Sequence, residues 1–158
     1  MTAPRSAPEQ ARLDAALVDL FEHKISFNAV IGLKIDSVRA GDVRASFAMR
    51  PELIGHYSYG RLHGGVISAV LDALGGLALM VAIAERHADE ATMQVMQRFA
   101  RMATIDLRVD YLRQGLGQRF VAKATVVHLG SQIGRTRMEL AADEGKLIAT
   151  GAAAYVVA

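Results

Sequence analysis

Residues 60–84 read GRLHGGVISAVLDALGGLALMVAIA, the longest apolar run in the chain, entered through His63-Gly64-Gly65 and interrupted by one carboxylate, Asp72. About 20 consecutive apolar residues can cross a bilayer, so a membrane span has to be weighed first. Against it stands Asp72, which would cost ~2.5–3.5 kcal/mol at a bilayer centre. Ser68, Gly75 and Gly76 are poor choices for a lone span, and the flanks lack the lopsided Lys/Arg clusters that orient one. The run therefore reads as a buried central helix of a soluble domain, apolar nearly all round because protein surrounds it.

On a helical wheel Val66, Ile67, Val70, Leu71, Leu74, Leu77, Ala78 and Val81 cover most of the circumference. Ser68, Asp72 and Gly75/Gly76 form a narrow small-and-polar stripe on what is left. If the helix begins after His63, Gly64 and Gly65 present unpaired backbone N–H groups at its positive end, with no side chain to block close approach. Such an end favours a carbonyl oxygen that is gaining negative charge. Gly65 and Asp72 are ~10 Å apart along the axis at ~1.5 Å per residue, beyond the reach of an Asp side chain. Two antiparallel copies would bring the Gly-Gly end of one protomer to the Asp of the other, in a two-fold dimer with two equivalent sites.

The segment LHGGVISAVLDALGGLAL resembles the signature of the hotdog-fold acyl-CoA thioesterases of the phenylacetate-pathway type. In that family a His-Gly-Gly at the helix entrance is followed by a catalytic Asp or Glu, and the His63 to Asp72 interval fits. With the flanking strands, the resemblance extends over residues 29–157. It implies an α+β hotdog fold, an antiparallel β-sheet wrapped around a long central helix, here with an extra N-terminal helix. It also implies hydrolysis of acyl-CoA by water with no metal and no organic cofactor. Asp72 would act as a general base on water, or as a nucleophile forming a mixed anhydride. A paired structural carboxylate is the bland alternative for Asp72, and a tight loop-to-helix turn for the glycines.

The resemblance assigns carbonyl polarisation to a backbone N–H, that of Gly64 with Gly65 beside it, and orientation of the water to Thr104. His63 is either a structural residue fixing the loop or a substrate contact. Tyr57 occupies the position where many members carry an Asn, and Ser68 joins it as a substrate-binding candidate. The acyl chain is expected between paired helices, lined by Leu74, Leu77 and Met93 or Met96. Arg113, Arg135 and Arg137, read as lying at strand ends or loop edges, are candidates for the coenzyme A phosphates. Homodimers or homotetramers are both compatible. A non-catalytic acyl-CoA-binding regulatory module is the competing class, and a hotdog hydratase a weaker third.

A chain of 158 residues is one domain long, with enough material for a sizeable core. Its 52% hydrophobic content exceeds the usual ~45–50%, as a buried helix plus an oligomer interface would require. The net charge of +2 is spread among acids, which points away from nucleic acid. Absence of cysteine excludes disulfides, Cys-ligated zinc and a Cys nucleophile. No charged-then-apolar leader opens the chain, so a cytoplasmic protein is expected.

Residues 1–8 are expected as a tail, disordered from Met1 to Arg5, before a single domain at 9–158. Ser6-Ala7-Pro8-Glu9 reads as a capping box leading into an amphipathic helix with Leu13, Ala16, Leu17, Leu20 and Phe21 on its apolar face. Residues 33–38 and 43–49 read as a hairpin, and 52–62 as a loop. Residues 85–103 read as a helix whose Met93, Met96, Phe99 or Ala100, and Ala103 share a face, either covering a sheet edge or walling a pocket. Residues 104–112 alternate as a half-buried strand, and three further strands follow at 120–127, 133–141 and 147–157.

Overall fold

The computed structural model describes residues 4–158; the first three residues of the expected tail lie outside them. Helix α1 (Ala7–Asp19) begins inside the span expected as a tail, because Ser6 caps it by accepting the Glu9 N–H and Pro8 fits its first turn. Arg5 is also tied down, its guanidinium donating to the carbonyls of His87 (2.7 Å) and Glu90 (3.1 Å). Glu9 does not close a capping box. Its carboxylate accepts the Thr92 N–H at 2.8 Å, which holds it below its usual pKa. After α1 come a π turn (Leu20–Lys24) and helix α2 (Ser26–Ile31), ended by Gly32 at a left-handed φ of 76°.

Strands β1 (Lys34–Arg39) and β2 (Asp42–Ala48) form the first hairpin. A miniature hairpin, β3 (Ile54–His56) and β4 (Arg61–Leu62), occupies the stretch expected as loop. Then come the central helix α3 (Gly64–Arg86), helix α4 (Thr92–Arg98), and strands β5 (Ala103–Tyr111), β6 (Arg119–Leu129), β7 (Ile133–Ala141) and β8 (Leu147–Val156). Six strands make one antiparallel sheet in the order β1-β2-β6-β7-β8-β5.

The sheet wraps α3. Leu71, Leu74 and Leu77 have no exposure, and each buried side chain of this kind contributes ~1.5–3 kcal/mol. On β7 the alternation is strict: Gly134, Thr136, Met138 and Leu140 are buried, while Arg135, Arg137 and Glu139 are exposed on the other face. Gly75 permits the close approach of helix and sheet, since a Cβ there would lie 2.8 Å from Thr136 Oγ1 and closer still to Tyr155 Oη. By length and composition α3 could cross a membrane, yet 61% of its most apolar window is buried inside the fold.

Two further elements differ from expectation. The single helix expected over 85–103 is broken after Arg86, and in α4 the inward face is Val95, with Phe99 one turn on, so Met93 points outward at 74% exposure. Strand β5, expected to be half-buried, is a sheet edge that keeps Ile105 and Tyr111 more than half exposed. A bulge between Thr104 and Asp106 sets Ile105 out of register, and only Leu107 and Val109 are partly covered.

Candidate functional site

The entrance of α3 is fastened before the helix begins. His63 N–H donates to the Leu53 carbonyl at 2.8 Å and Leu62 N–H to that of Gly115 at 2.9 Å, so the turn before β3 and the β5–β6 connection hold the two residues that precede the helix. His63 is the N-cap of α3: its Nδ1 accepts the Gly65 N–H at 2.8 Å. From the other side Tyr111 Oη donates to the Gly64 carbonyl at 3.1 Å. The peptide group joining Gly64 to Gly65 is thus held at both its oxygen and its N–H, which fixes its plane.

The consequence corrects the expectation of two free donors. Gly65 N–H is spent on His63, whereas Gly64 N–H, on the preceding peptide, has no acceptor among the described residues. One backbone donor at the positive end of a 23-residue helix is therefore available to an outside oxygen. It opens on a groove of about 560 Å³ whose wall includes Arg61, His63, Tyr111 and Arg113.

Two turns further along α3 the chemistry changes. Thr104 Oγ1 donates to Asp72 Oδ1 at 2.9 Å, joining the helix to the first residues of β5. Tyr155 Oη donates to the Asp72 backbone carbonyl at 2.8 Å. Burial, reinforced by the Asp72 charge, pushes the Tyr155 pKa upward, so its hydroxyl is a permanent donor. Asp72 faces a cleft of about 290 Å³. Phe21, Ile25, Phe27, Met80 and Met102 give it apolar walls, and the small residues Ala69, Ala73 and Gly76 of α3 leave the space open. Asn28, 3% exposed, also lines it, and its Nδ2 has no partner among the described residues.

The other expected residues fall elsewhere. Leu74 and Leu77 are fully buried in the core and do not border the cleft, whose apolar wall comes from the π turn, α2 and Met80. Met93 is exposed on α4 and Met96 packs against the core, neither bordering the cleft. Ser68 Oγ donates back to the Gly65 carbonyl at 3.1 Å. Tyr57 is 93% exposed at the tip of the β3–β4 hairpin. Arg113, donating to the Leu147 carbonyl at 2.9 Å, does border the entrance groove. Arg135 and Arg137 lie inside β7, not at its ends, and face outward opposite His128 and Thr125, away from both halves. A larger depression of about 730 Å³ also lies on that outer face and is lined by charges of both signs.

No residue is shared between the linings of the entrance groove and the Asp72 cleft. Within one chain the fold keeps the free N–H and the carboxylate apart. Among the described residues no group of three or more His, Asp or Glu side chains is placed to hold a metal ion.

Comparison with known proteins gives a consistent result. The thioesterase superfamily model matches residues 59–149, which contain His63, Asp72 and Thr104. The Escherichia coli K12 protein named medium/long-chain acyl-CoA thioesterase YigI is 34% identical over 139 residues, covering 88% of this chain and 90% of that one. A Shewanella oneidensis crystal structure, described as related to the thioesterase superfamily, superposes with a TM-score of 0.90 at 36% identity, over 97% of this chain and all of the other. A Syntrophus aciditrophicus structure gives 0.83, also at 36% identity, over 97% of this chain and 100% of that chain. The α+β architecture, an antiparallel sheet around one long helix, is the hotdog fold.

Proposed function

The chain belongs to the thioesterase superfamily, and we propose that within it this protein hydrolyses acyl-CoA thioesters to free acid and coenzyme A. The observation that carries the reading is the Asp72 carboxylate, anchored by Thr104 at 2.9 Å and facing an apolar cleft. The cleft suits an aliphatic acyl group, in keeping with a relative named for medium and long chains.

Asp72 acts as the base. It takes a proton from a water that Thr104 helps to orient, and the water oxygen bonds to the thioester carbonyl carbon. The carbonyl oxygen becomes an oxyanion facing Gly64 N–H, which is already aimed and loses no hydrogen bond on turning to it. Collapse breaks the C–S bond, and the departing thiolate takes the proton from Asp72, leaving carboxylic acid and coenzyme A. Direct attack by Asp72 would give a mixed anhydride and then the same products.

Donor and base come from different protomers. Three observations support this: the separation of the two halves, the ~10 Å of helix between them, and the exposed edge strand β5. That edge carries Ile105 and Tyr111, with Leu112 just beyond, each about half exposed, and its unpaired backbone invites a partner strand. A cytoplasmic setting and a reaction free of metal and organic cofactor belong to the same reading. The test is release of free thiol from a panel of acyl-CoAs graded by chain length. Hydrolysis rising with apolar chain length supports the proposal; tight binding with no thiol released replaces it with the regulatory-module reading.

A further inference from the structure

The entrance groove has a charge that the thioester itself does not need. Its wall carries Arg61 and Arg113 and no carboxylate, in a chain with 16 acidic residues. The outer-face depression, by contrast, mixes Arg44, Arg119 and Lys123 with Asp36, Glu139 and Asp143. Arg113 is partly engaged with the Leu147 carbonyl, while the Arg61 guanidinium has no acceptor among the described residues.

Immediately above Arg61 stands the tip of the β3–β4 hairpin. His56, paired in register with Arg61, stacks on Tyr57 at a ring separation of 5.6 Å and lies 4.7 Å from the Tyr59 ring. The two tyrosines are 93% and 66% exposed, so aromatic faces are left bare in water beside a cationic groove. The platform is braced: Gly55 packs so closely on His63 that a Cβ there would lie 2.6 Å from the His63 Cα.

We infer that this hairpin and groove bind the nucleotide end of coenzyme A: Arg61 and Arg113 pair with its phosphates, and the Tyr57–His56–Tyr59 rings stack the adenine. Guanidinium groups match phosphate oxygens with forked, charge-assisted hydrogen bonds. Base–aromatic stacking needs only an accessible ring face. Arg61, Arg113 and Gly64 line one groove, and His56 is paired in register with Arg61 at its edge, so the nucleotide, the pantetheine arm and the polarised carbonyl lie along one protomer. The acyl chain then enters the cleft of the protomer that supplies Asp72. This assignment rests on the acyl-CoA reading above.

The experiment compares acyl-CoA with the acyl-pantetheine of the same acyl group, which lacks the nucleotide, and titrates adenosine 3′,5′-bisphosphate calorimetrically. Arg61→Ala lowers kcat/KM for acyl-CoA ~10-fold more than for acyl-pantetheine, mainly through KM. The paired change Tyr57→Ala with Tyr59→Ala shows a smaller difference of the same sign. The bisphosphate binds the wild-type protein, and Arg61→Ala weakens it. Equal losses on both substrates, or bisphosphate binding that is absent from the wild type or indifferent to Arg61, overturn the assignment. If neither thioester is hydrolysed, the function itself is wrong, and the titration still decides the nucleotide site.

Discussion

The entrance of α3 and its middle are built on opposite plans. At the entrance the candidate group is backbone: two glycines keep side chains away, His63 and Tyr111 hold one peptide from either end, and the next N–H back is left free among the described residues. In the middle the candidate group is a side chain, Asp72, set among apolar walls and steadied by Thr104 through its carboxylate and by Tyr155 through its backbone. A positive end works because nothing covers it; an acid gains its chemistry from what surrounds it. One helix provides both and cannot bring them together, which is the physical ground for proposing that two copies share each site.

The comparison breaks most sharply at Asp72. Asp72→Asn, nearly isosteric, lowers kcat by ~10²–10⁴ with the fold intact by circular dichroism, since it removes only a general base. Wild-type turnover in that variant would make Asp72 structural. At the other end, Gly64→Pro deletes the free N–H alone, because proline is well accommodated at the first helical position and its Cβ would sit 3.4 Å from the Tyr111 ring. Its kcat falls ~10²–10³, the usual cost of one oxyanion donor. Unchanged kcat would move carbonyl polarisation elsewhere.

A smaller effect sharpens the acid half. Thr104→Val removes one hydrogen bond to Asp72, and kcat drops ~10-fold with KM little changed. Tyr155 gives the smallest signal, confined to alkaline pH. Its folded pKa is raised above the unfolded value of ~10, so the folded state binds the proton more tightly. Its contribution to stability is fully present below that unfolded value and is lost as pH rises through the folded one. Denaturant titrations should show this alkaline loss in the wild type and a weaker one in Tyr155→Phe; identical curves would contradict the assigned burial.

Much of this was legible in the chain because it is local. His63-Gly64-Gly65 and Asp72 lie within ten residues, so helix geometry alone orders them along one axis. The six strands of the large sheet followed from the sequence pattern, 133–141 to the residue, whereas the short β3–β4 hairpin was read as loop. Tyr111 and Tyr155 were not legible, since they reach Gly64 and Asp72 across 47 and 83 residues, through strand register that no local pattern encodes. The only trace of the second was Gly75, a glycine inside a helix where a neighbour comes too close for a Cβ. Met93 misled because α4 has apolar residues on two faces, and only the tertiary fold selects Val95 and Phe99. Leu74 misled for a related reason: an apolar helix does not say which side borders the cleft and which meets the sheet.

The most direct test of the central claim, that each site takes its donor from one protomer and its base from the other, is complementation. Asp72→Asn and Gly64→Pro, each nearly inactive, are unfolded together, refolded as a mixture and assayed for thiol release. If the site is shared, half of the randomly formed dimers are hybrids with one intact site, and activity returns to about a quarter of wild type. Activity no greater than the average of the two parents would place both groups within a single chain and contradict the account.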